Sequence, residues 1–204
     1  MTAIIDYGVG NIFSLCSSFD VIGESAVLTS DPNVIDNADR LILPGVGAFA
    51  DAANKLVDSG MGELIKKQVD KGKPLLGICL GMQLLFDESM EYGRTAGLGL
   101  IKGTVRPISG VIPKDYKIPH IGWNSLKITD NNPLFKHTTN GSHVYFVHSY
   151  FADDCDEHTI AVTEYGADLT AAVARNNVFG VQFHPEKSGQ VGLNMLKAFC
   201  EVHV

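Results

Sequence analysis

Pro74-Leu75-Leu76-Gly77-Ile78-Cys79-Leu80-Gly81-Met82-Gln83 is a short apolar run that turns, at a cysteine flanked by glycines, into a helical pattern. The run Pro74–Ile78 follows a Gly-Lys-Pro breaker and reads as a buried strand; Leu80–Glu88 reads as the helix after it. Gly77 and Gly81 stand two before and two after Cys79, where a sharp strand-to-helix turn crowds the backbone. This is the form of a nucleophile elbow with cysteine in place of serine. The helix start aims free N–H groups and the positive dipole end at the sulfur, favouring thiolate. The Leu80 N–H is also placed to donate to a developing oxyanion. An isolated cysteine in such a run is also consistent with a structural core thiol. A nucleophile needs a base, so the choice between the two turns on finding one.

Outward from this unit, strands and helices alternate. Met1–Asp6 reads as a strand, Gly10–Ile22 as a helix, and Ser25–Thr29 and Arg40–Leu43 as strands. Helical patterns over Ala48–Ser59 and Met61–Lys71 lead back to Pro74. Alternation of this kind predicts a mostly parallel sheet with helices on both faces. The second half reads differently. Gly99–Arg106, Gly122–Ile128, His143–Tyr150 and Thr159–Glu164 read as strands. Thr170–Arg175 and Val178–Phe183 flank Asn176-Asn177, a two-residue hairpin turn. Gly189–Cys200 closes the chain as a helix. The expectation is one α/β domain over residues 1–204, a mostly parallel sheet with an antiparallel extension.

Composition removes several function classes. The 204 residues are 45% hydrophobic and 19% charged, enough for a sizeable core without disulfide or metal staples. Sixteen basic against 23 acidic residues give −7, which offers no general attraction to nucleic acid or anionic membrane. Four scattered cysteines without a CxxC pair argue against a zinc finger or a disulfide framework. No basic residue precedes Arg40, and Leu75–Phe86 is too short to span a bilayer, so a cytoplasmic protein is expected. Gly8-Val9-Gly10 follows a strand, but Phe13 stands where a dinucleotide fingerprint needs its third glycine. Gly72-Lys73 is followed by Pro74, so it is no P-loop, and no HExxH occurs.

His184 has the best setting for a base. It follows the apolar run Val178–Phe183, at a strand end where open sheets form their sites, and Pro185 stiffens the turn after it. Glu186, two residues on, can reach the ring nitrogen facing away from the sulfur, the logic of a Cys-His-Glu triad. His148 competes as base but lacks a carboxylate within three residues. Spacing alone does not bring Cys79 and His184 together.

The block Pro74 to Gln83, with Gln182-Phe183-His184-Pro185-Glu186 later in the chain, resembles the class I (triad) glutamine amidotransferases. That resemblance implies a flavodoxin-like α/β fold, glutamine hydrolysis to glutamate and ammonia, and delivery of the ammonia to a synthase partner. Asp6-Tyr7-Gly8-Val9-Gly10-Asn11, Pro44 to Phe49, His120-Ile121-Gly122-Trp123-Asn124 and Tyr145 to Tyr150 narrow it further. These segments are similar to the glutaminase subunits of imidazole glycerol phosphate synthase, whose partner is a (β/α)8-barrel cyclase. The resemblance makes Cys79 the nucleophile, His184 the base and acid, and Glu186 its orienter. It puts the oxyanion hole at backbone groups of Val46, Gly47 and Leu80, and glutamine contacts at Gly45, Gln83, Ser149 and Tyr150. Asn11, His120 and Trp123 would lie towards the partner. It calls for no cofactor and no metal.

Simpler roles stand beside these. Asn11 could be a helix N-cap, Gly45 and Gly47 a βα turn, Trp123 a core residue, Gln83 a surface residue, and Ser149-Tyr150 a strand end. Three other functions share the motifs: a glutaminase serving anthranilate, guanylate or carbamoyl phosphate synthesis, a cysteine peptidase or γ-glutamyl hydrolase, and a silent binding protein on the same fold.

Overall fold

A computed structural model of the chain describes residues 1–202; the last two residues of the span expected to form one domain lie outside the described residues. The first half runs β1 (Thr2–Ile5), α1 (Ile12–Ile22), β2 (Ala26–Thr29), α2 (Pro32–Asn37), β3 (Arg40–Leu43), α3 (Phe49–Asp58), α4 (Met61–Asp70), β4 (Leu75–Ile78) and α5 (Leu80–Gln83). Two short strands, β5 (Glu88–Ser89) and β6 (Thr95–Ala96), follow. Then come β7 (Thr104–Pro107), β8 (His120–Ser125), β9 (Lys127–Ile128), β10 (His143–His148) and β11 (Tyr150–Asp153). The chain ends through β12 (Thr159–Glu164), β13 (Asp168–Arg175), β14 (Val178–Val181) and α6 (Gly189–Cys200).

The main sheet has the order β2-β1-β3-β4-β14-β13-β12-β9. Neighbours from β2 to β14 are parallel, and β13, β12 and β9 add an antiparallel extension. Both faces of the parallel part are covered, and the period of two along each strand decides which residue goes where. Ala3, Ile5, Leu41, Leu43 and Leu75 pack with Phe49, Leu56, Ile65 and Val69 of α3 and α4. Ile4, Ile42, Leu76 and Ile78 pack with Leu15 and Phe19 of α1 and Met195, Leu196 and Phe199 of α6 on the other face. A fully buried side chain of this size contributes about 1.5–3 kcal/mol. The α/β fold with a mostly parallel sheet and an antiparallel extension agrees with the sequence expectation. Asn176, at φ 53, does make the two-residue turn between β13 and β14. Among the described residues no helix is long and apolar enough to cross a membrane.

The helix predicted over Leu80–Glu88 is a single turn, Leu80–Gln83. The carbonyls that would continue it are taken from outside: Leu98 donates to Leu84 O, Leu100 and Ile101 to Leu85 O, and Gly99 to Phe86 O. Only glycine at position 97 allows this approach, because a Cβ there would stand 2.2 Å from Phe86 O. The same bonds consume Gly99–Ile101, so the strand predicted from Gly99 begins at Thr104. The predicted strand His143–Tyr150 breaks at Ser149. β10 pairs with β8 and β11 with β7, so the chain changes sheets there. Gly122–Ile128 divides for the same reason, β8 joining β10 and β9 joining β12. α2 has no counterpart in the sequence reading, although its signal is present: Asp31 caps the Asn33 N–H at 2.8 Å and Pro32 takes the first helical position.

Candidate active site

The carboxyl ends of β3, β4 and β14 lie side by side, and the segments leaving them build one cleft of ≈ 400 Å³. Such an edge is where open α/β sheets place their ligands. Cys79 leaves β4 at φ 55 and ψ −111, a left-handed conformation that a non-glycine residue holds only under surrounding constraint. The constraint is visible on both sides. The Cys79 N–H donates to Val181 O at 2.8 Å, and its carbonyl accepts from Gln83 N at 3.2 Å. The turn closes because three glycines meet. A Cβ on Gly77 would stand 2.6 Å from Gly81 O, one on Gly81 1.8 Å from Leu43 O, and one on Gly45 2.7 Å from Gly81 N. The Leu80 N–H stands at the first helical position, where no intrahelical carbonyl is available to it.

His184 and Glu186 follow β14 on the same edge. His184 Nδ1 and Glu186 Oε1 are 2.8 Å apart, with side chains only 2% and 3% exposed. A bound Nδ1 leaves Nε2 for Cys79, though no hydrogen bond of normal geometry joins Nε2 to the sulfur. Burial opposes charge on the ring, but Cys79 and Glu186 outweigh it, and the pKa is raised to about 9. The raised value favours the charged ring, placed between the sulfur and the Glu186 carboxylate. The raised value makes stability pH-dependent. The unfolded ring titrates near ~6.5, so the contribution of this pair is complete below that pH and is lost as pH rises through about 9. Glu186→Gln is expected to destabilise the chain most at pH 6 and least at pH 9.5. Urea unfolding at both values checks this; a difference that stays flat with pH contradicts it.

His148 is not placed to act as the base. Its Nε2 faces His120 Nδ1 at 3.0 Å and its Nδ1 faces Tyr150 O at 2.8 Å. The other thiols are pushed up by burial, Cys155 and Cys200 in the core and Cys16 on α1.

The remaining candidates divide. Val46, Gly47, Leu80, Gln83, Ser149 and Tyr150 all line the cleft. Gly45 does not; it is pressed against Leu80 and Gly81 behind the cleft. The Gln83 amide nitrogen is already engaged by Gln182 Oε1 at 2.9 Å and Tyr150 O at 3.2 Å. Trp123 is 56% exposed rather than in the core. His120, expected towards a partner, is 3% exposed and stacks on Phe146 and Tyr165, so its side chain meets its own chain. Asn11 precedes α1 but makes no capping bond; its Nδ2 reaches Glu186 Oε1 at 3.4 Å.

Three contributors carry no role in the sequence reading. Gln182, fully buried, donates to Cys79 Sγ at 3.8 Å; a lone amide inside the apolar run Val178–Phe183 was its signal. Tyr7 donates to Pro44 O at 2.8 Å and Glu91 accepts from Phe49 N at 2.6 Å, which holds both ends of the Pro44–Phe49 loop. Glu91 also places the one carboxylate among the cleft-lining residues. Among the described residues no group of three or more His, Cys, Asp or Glu side chains is arranged to hold a metal ion.

A thiol on a strained strand-to-helix turn, an imidazole ring beside it and a carboxylate behind that ring form a candidate nucleophilic cysteine site. The chain belongs to the class I glutamine amidotransferase family, whose model matches residues 3–202. Within that family it is similar along its whole length to proteins named imidazole glycerol phosphate synthase subunit HisH. The one from Caldanaerobacter subterraneus subsp. tengcongensis is 51% identical over 203 residues, covering 99% of this chain and 98% of that protein. Those from Geobacillus kaustophilus and Syntrophotalea carbinolica are each 48% identical, covering 99% of this chain and 97% and 100% of theirs. Among solved structures, a glutamine amidotransferase superposes with a TM-score of 0.74 at 19% identity, over 97% of this chain and 98% of that one. PurLQS from Thermotoga maritima superposes at 0.72 and 21% identity, over 98% and 96%. At these identities the likeness concerns the fold.

Proposed function

We propose that this chain is the glutaminase subunit of an imidazole glycerol phosphate synthase, working as one domain in a cytoplasmic heterodimer with a barrel-shaped cyclase. The observation that carries the reading is the sulfur and imidazole at the cleft with the Glu186 carboxylate behind the ring, on a chain about half identical throughout to proteins of that name.

The Cys79 thiolate attacks the side-chain amide carbon of glutamine. The carbonyl π electrons move to oxygen, where N–H groups of Leu80 and the Val46–Gly47 loop receive the charge. His184 Nε2 gives its proton to the amide nitrogen, the C–N bond breaks and ammonia leaves a thioester. His184 then takes a proton from water, hydroxide adds to the thioester, and glutamate departs as the thiolate reforms. Glu186 fixes the ring's tautomer and balances its charge throughout. Each oxyanion donor is worth about 2.7–4 kcal/mol in reactions of this type. Glu91 suits the α-ammonium group of glutamine, and Ser149 and Tyr150 line the same cleft.

Free ammonia in neutral water is mostly protonated and loses its nucleophilicity, so its consumer must sit against the cleft. Exposed apolar side chains stand near the cleft: Tyr92 lines it, and Ile118, Ile121 and Trp123 lie within four residues of the lining residue Pro119 in sequence. Phe13, 84% exposed, stands two residues beyond Asn11. The expected result is that the chain copurifies with a barrel-sized cyclase and that this partner with its ligand raises glutamine turnover at least about tenfold, ~1.4 kcal/mol off the barrier. Full turnover by the lone chain would overturn the assignment to a two-subunit synthase.

A further inference from the structure

His120 and His148 face each other across the β8–β10 ladder and are both almost fully buried. Their hydrogen-bond partners determine where every proton sits. Tyr150 O is a carbonyl and only accepts, so His148 Nδ1, 2.8 Å away, carries a hydrogen. In a neutral ring Nε2 is then the acceptor, so His120 Nδ1, 3.0 Å away, must be the donor. His120 Nε2 is left to accept from Asn124 Nδ2 at 3.3 Å. The Asn124 amide is oriented independently, since Nδ2 donates to Glu164 O at 2.7 Å and Oδ1 accepts from Ser125 N at 2.8 Å. Burial pushes both rings down to about 4, so both are neutral at physiological pH.

All donors therefore point one way: Asn124 to His120, His120 to His148, His148 to the Tyr150 carbonyl. That carbonyl also receives Gln83 Nε2, whose other bond holds Gln182, the donor to Cys79 Sγ. We propose that His120 and His148 are positioning residues, a one-way hydrogen-bond relay that sets the Tyr150 carbonyl and, through Gln83 and Gln182, the glutamine cleft. The relay starts on β8, whose alternate residues Ile121 and Trp123 are 57% and 56% exposed. A load on that outer face is thereby passed to the cleft. The role in glutamine binding rests on the glutaminase reading; the proton arrangement does not.

Two measurements on the full chain test this. Nitrogen-15 NMR of histidine-labelled protein is expected to show His120 and His148 as neutral Nδ1–H rings, and His120→Phe is expected to remove the first while His148 stays Nδ1–H, held by the Tyr150 carbonyl. Either ring found as Nε2–H, or averaging between tautomers, overturns the relay whatever the protein catalyses. The second is protection of Cys79 from iodoacetamide by glutamine. His120→Phe keeps a ring for Phe146 and Tyr165 to stack on but donates nothing. The glutamine concentration giving half-protection should rise about tenfold, the worth of one hydrogen bond. His120→Asn, whose Nδ2 stands where Nδ1 stood, should restore most of it. Equal loss in both variants, or no change in His120→Phe, overturns the positioning role. If His120→Phe fails to fold, the wild-type tautomers and His120→Asn still decide. Failure of glutamine to protect wild-type Cys79 refutes the glutaminase reading while leaving the tautomer result to stand alone.

Discussion

Cys79→Ala is expected to lower glutamine hydrolysis by a factor of at least about 10³, because the thioester route needs the sulfur and no other group near the cleft replaces it. The same variant, reconstituted with its cyclase, is expected to make imidazole glycerol phosphate from added ammonium salt at a rate within about twofold of wild type. The two halves of this result come from different parts of the structure. Removing Sγ deletes the nucleophile and leaves His184 without its charge partner. It leaves the backbone turn in place, since alanine meets the same φ of 55 that cysteine does. The exposed surface of β8 and α1, where the proposed partner would dock, is untouched, so docking is expected to survive. Steady-state rates with glutamine and with ammonium chloride, on one preparation, decide the matter. Loss of both activities would mean that Cys79 holds the fold and not the chemistry. Retention of glutamine hydrolysis would remove the mechanism altogether.

The parts of this site that were readable in the sequence are those where local pattern and chemistry coincide. The glycines around Cys79 and the change from apolar run to helix mark the elbow within eight residues. His184 and Glu186 share one turn, so their relation is local as well. What escaped depends on contacts between distant segments. Asn11 meets Glu186 across 175 positions and Gln83 meets Gln182 across 99, and neither distance leaves a mark in periodicity. The short α5 is an example with a different cause. Its leucines read as helix, but Leu84, Leu85 and Phe86 give their carbonyls to residues 98–101, and only Gly97 hints at it. The resemblance put both His120 and Trp123 towards a partner, yet they stand three residues apart on β8, so their side chains leave opposite faces of the strand. One faces solvent and the other the relay.

Gly81→Ala is expected to be the most damaging single methyl group in the chain, for fold and activity together. Position 81 has ordinary helical torsions, so alanine costs nothing there in propensity and would slightly favour the helix. The obstacle is entirely steric. Its Cβ would stand 1.8 Å from Leu43 O and 2.8 Å from Leu43 C, distances no real contact reaches. Leu43 is backbone at the end of a central strand paired with Gly77, so no side chain can swing aside. The start of α5 must instead move away from β3. That movement separates the Leu80 N–H from the Val46–Gly47 loop, the two halves of the proposed oxyanion hole. Overpacking of this kind costs about 1–3 kcal/mol, more where backbone must shift, so a loss of ~3 kcal/mol in urea unfolding is expected. Loss of one oxyanion donor lowers turnover by about 10²–10³, and this should appear in kcat even at temperatures where the variant is folded. Gly47→Ala is the control. A Cβ there meets nothing within 4 Å, although its φ of 95 carries its own strain, so its stability loss should be smaller than that of Gly81→Ala. Equal stability of the two variants, or a folded Gly81→Ala enzyme with wild-type kcat, would show that the elbow does not depend on the close approach of β3 and α5.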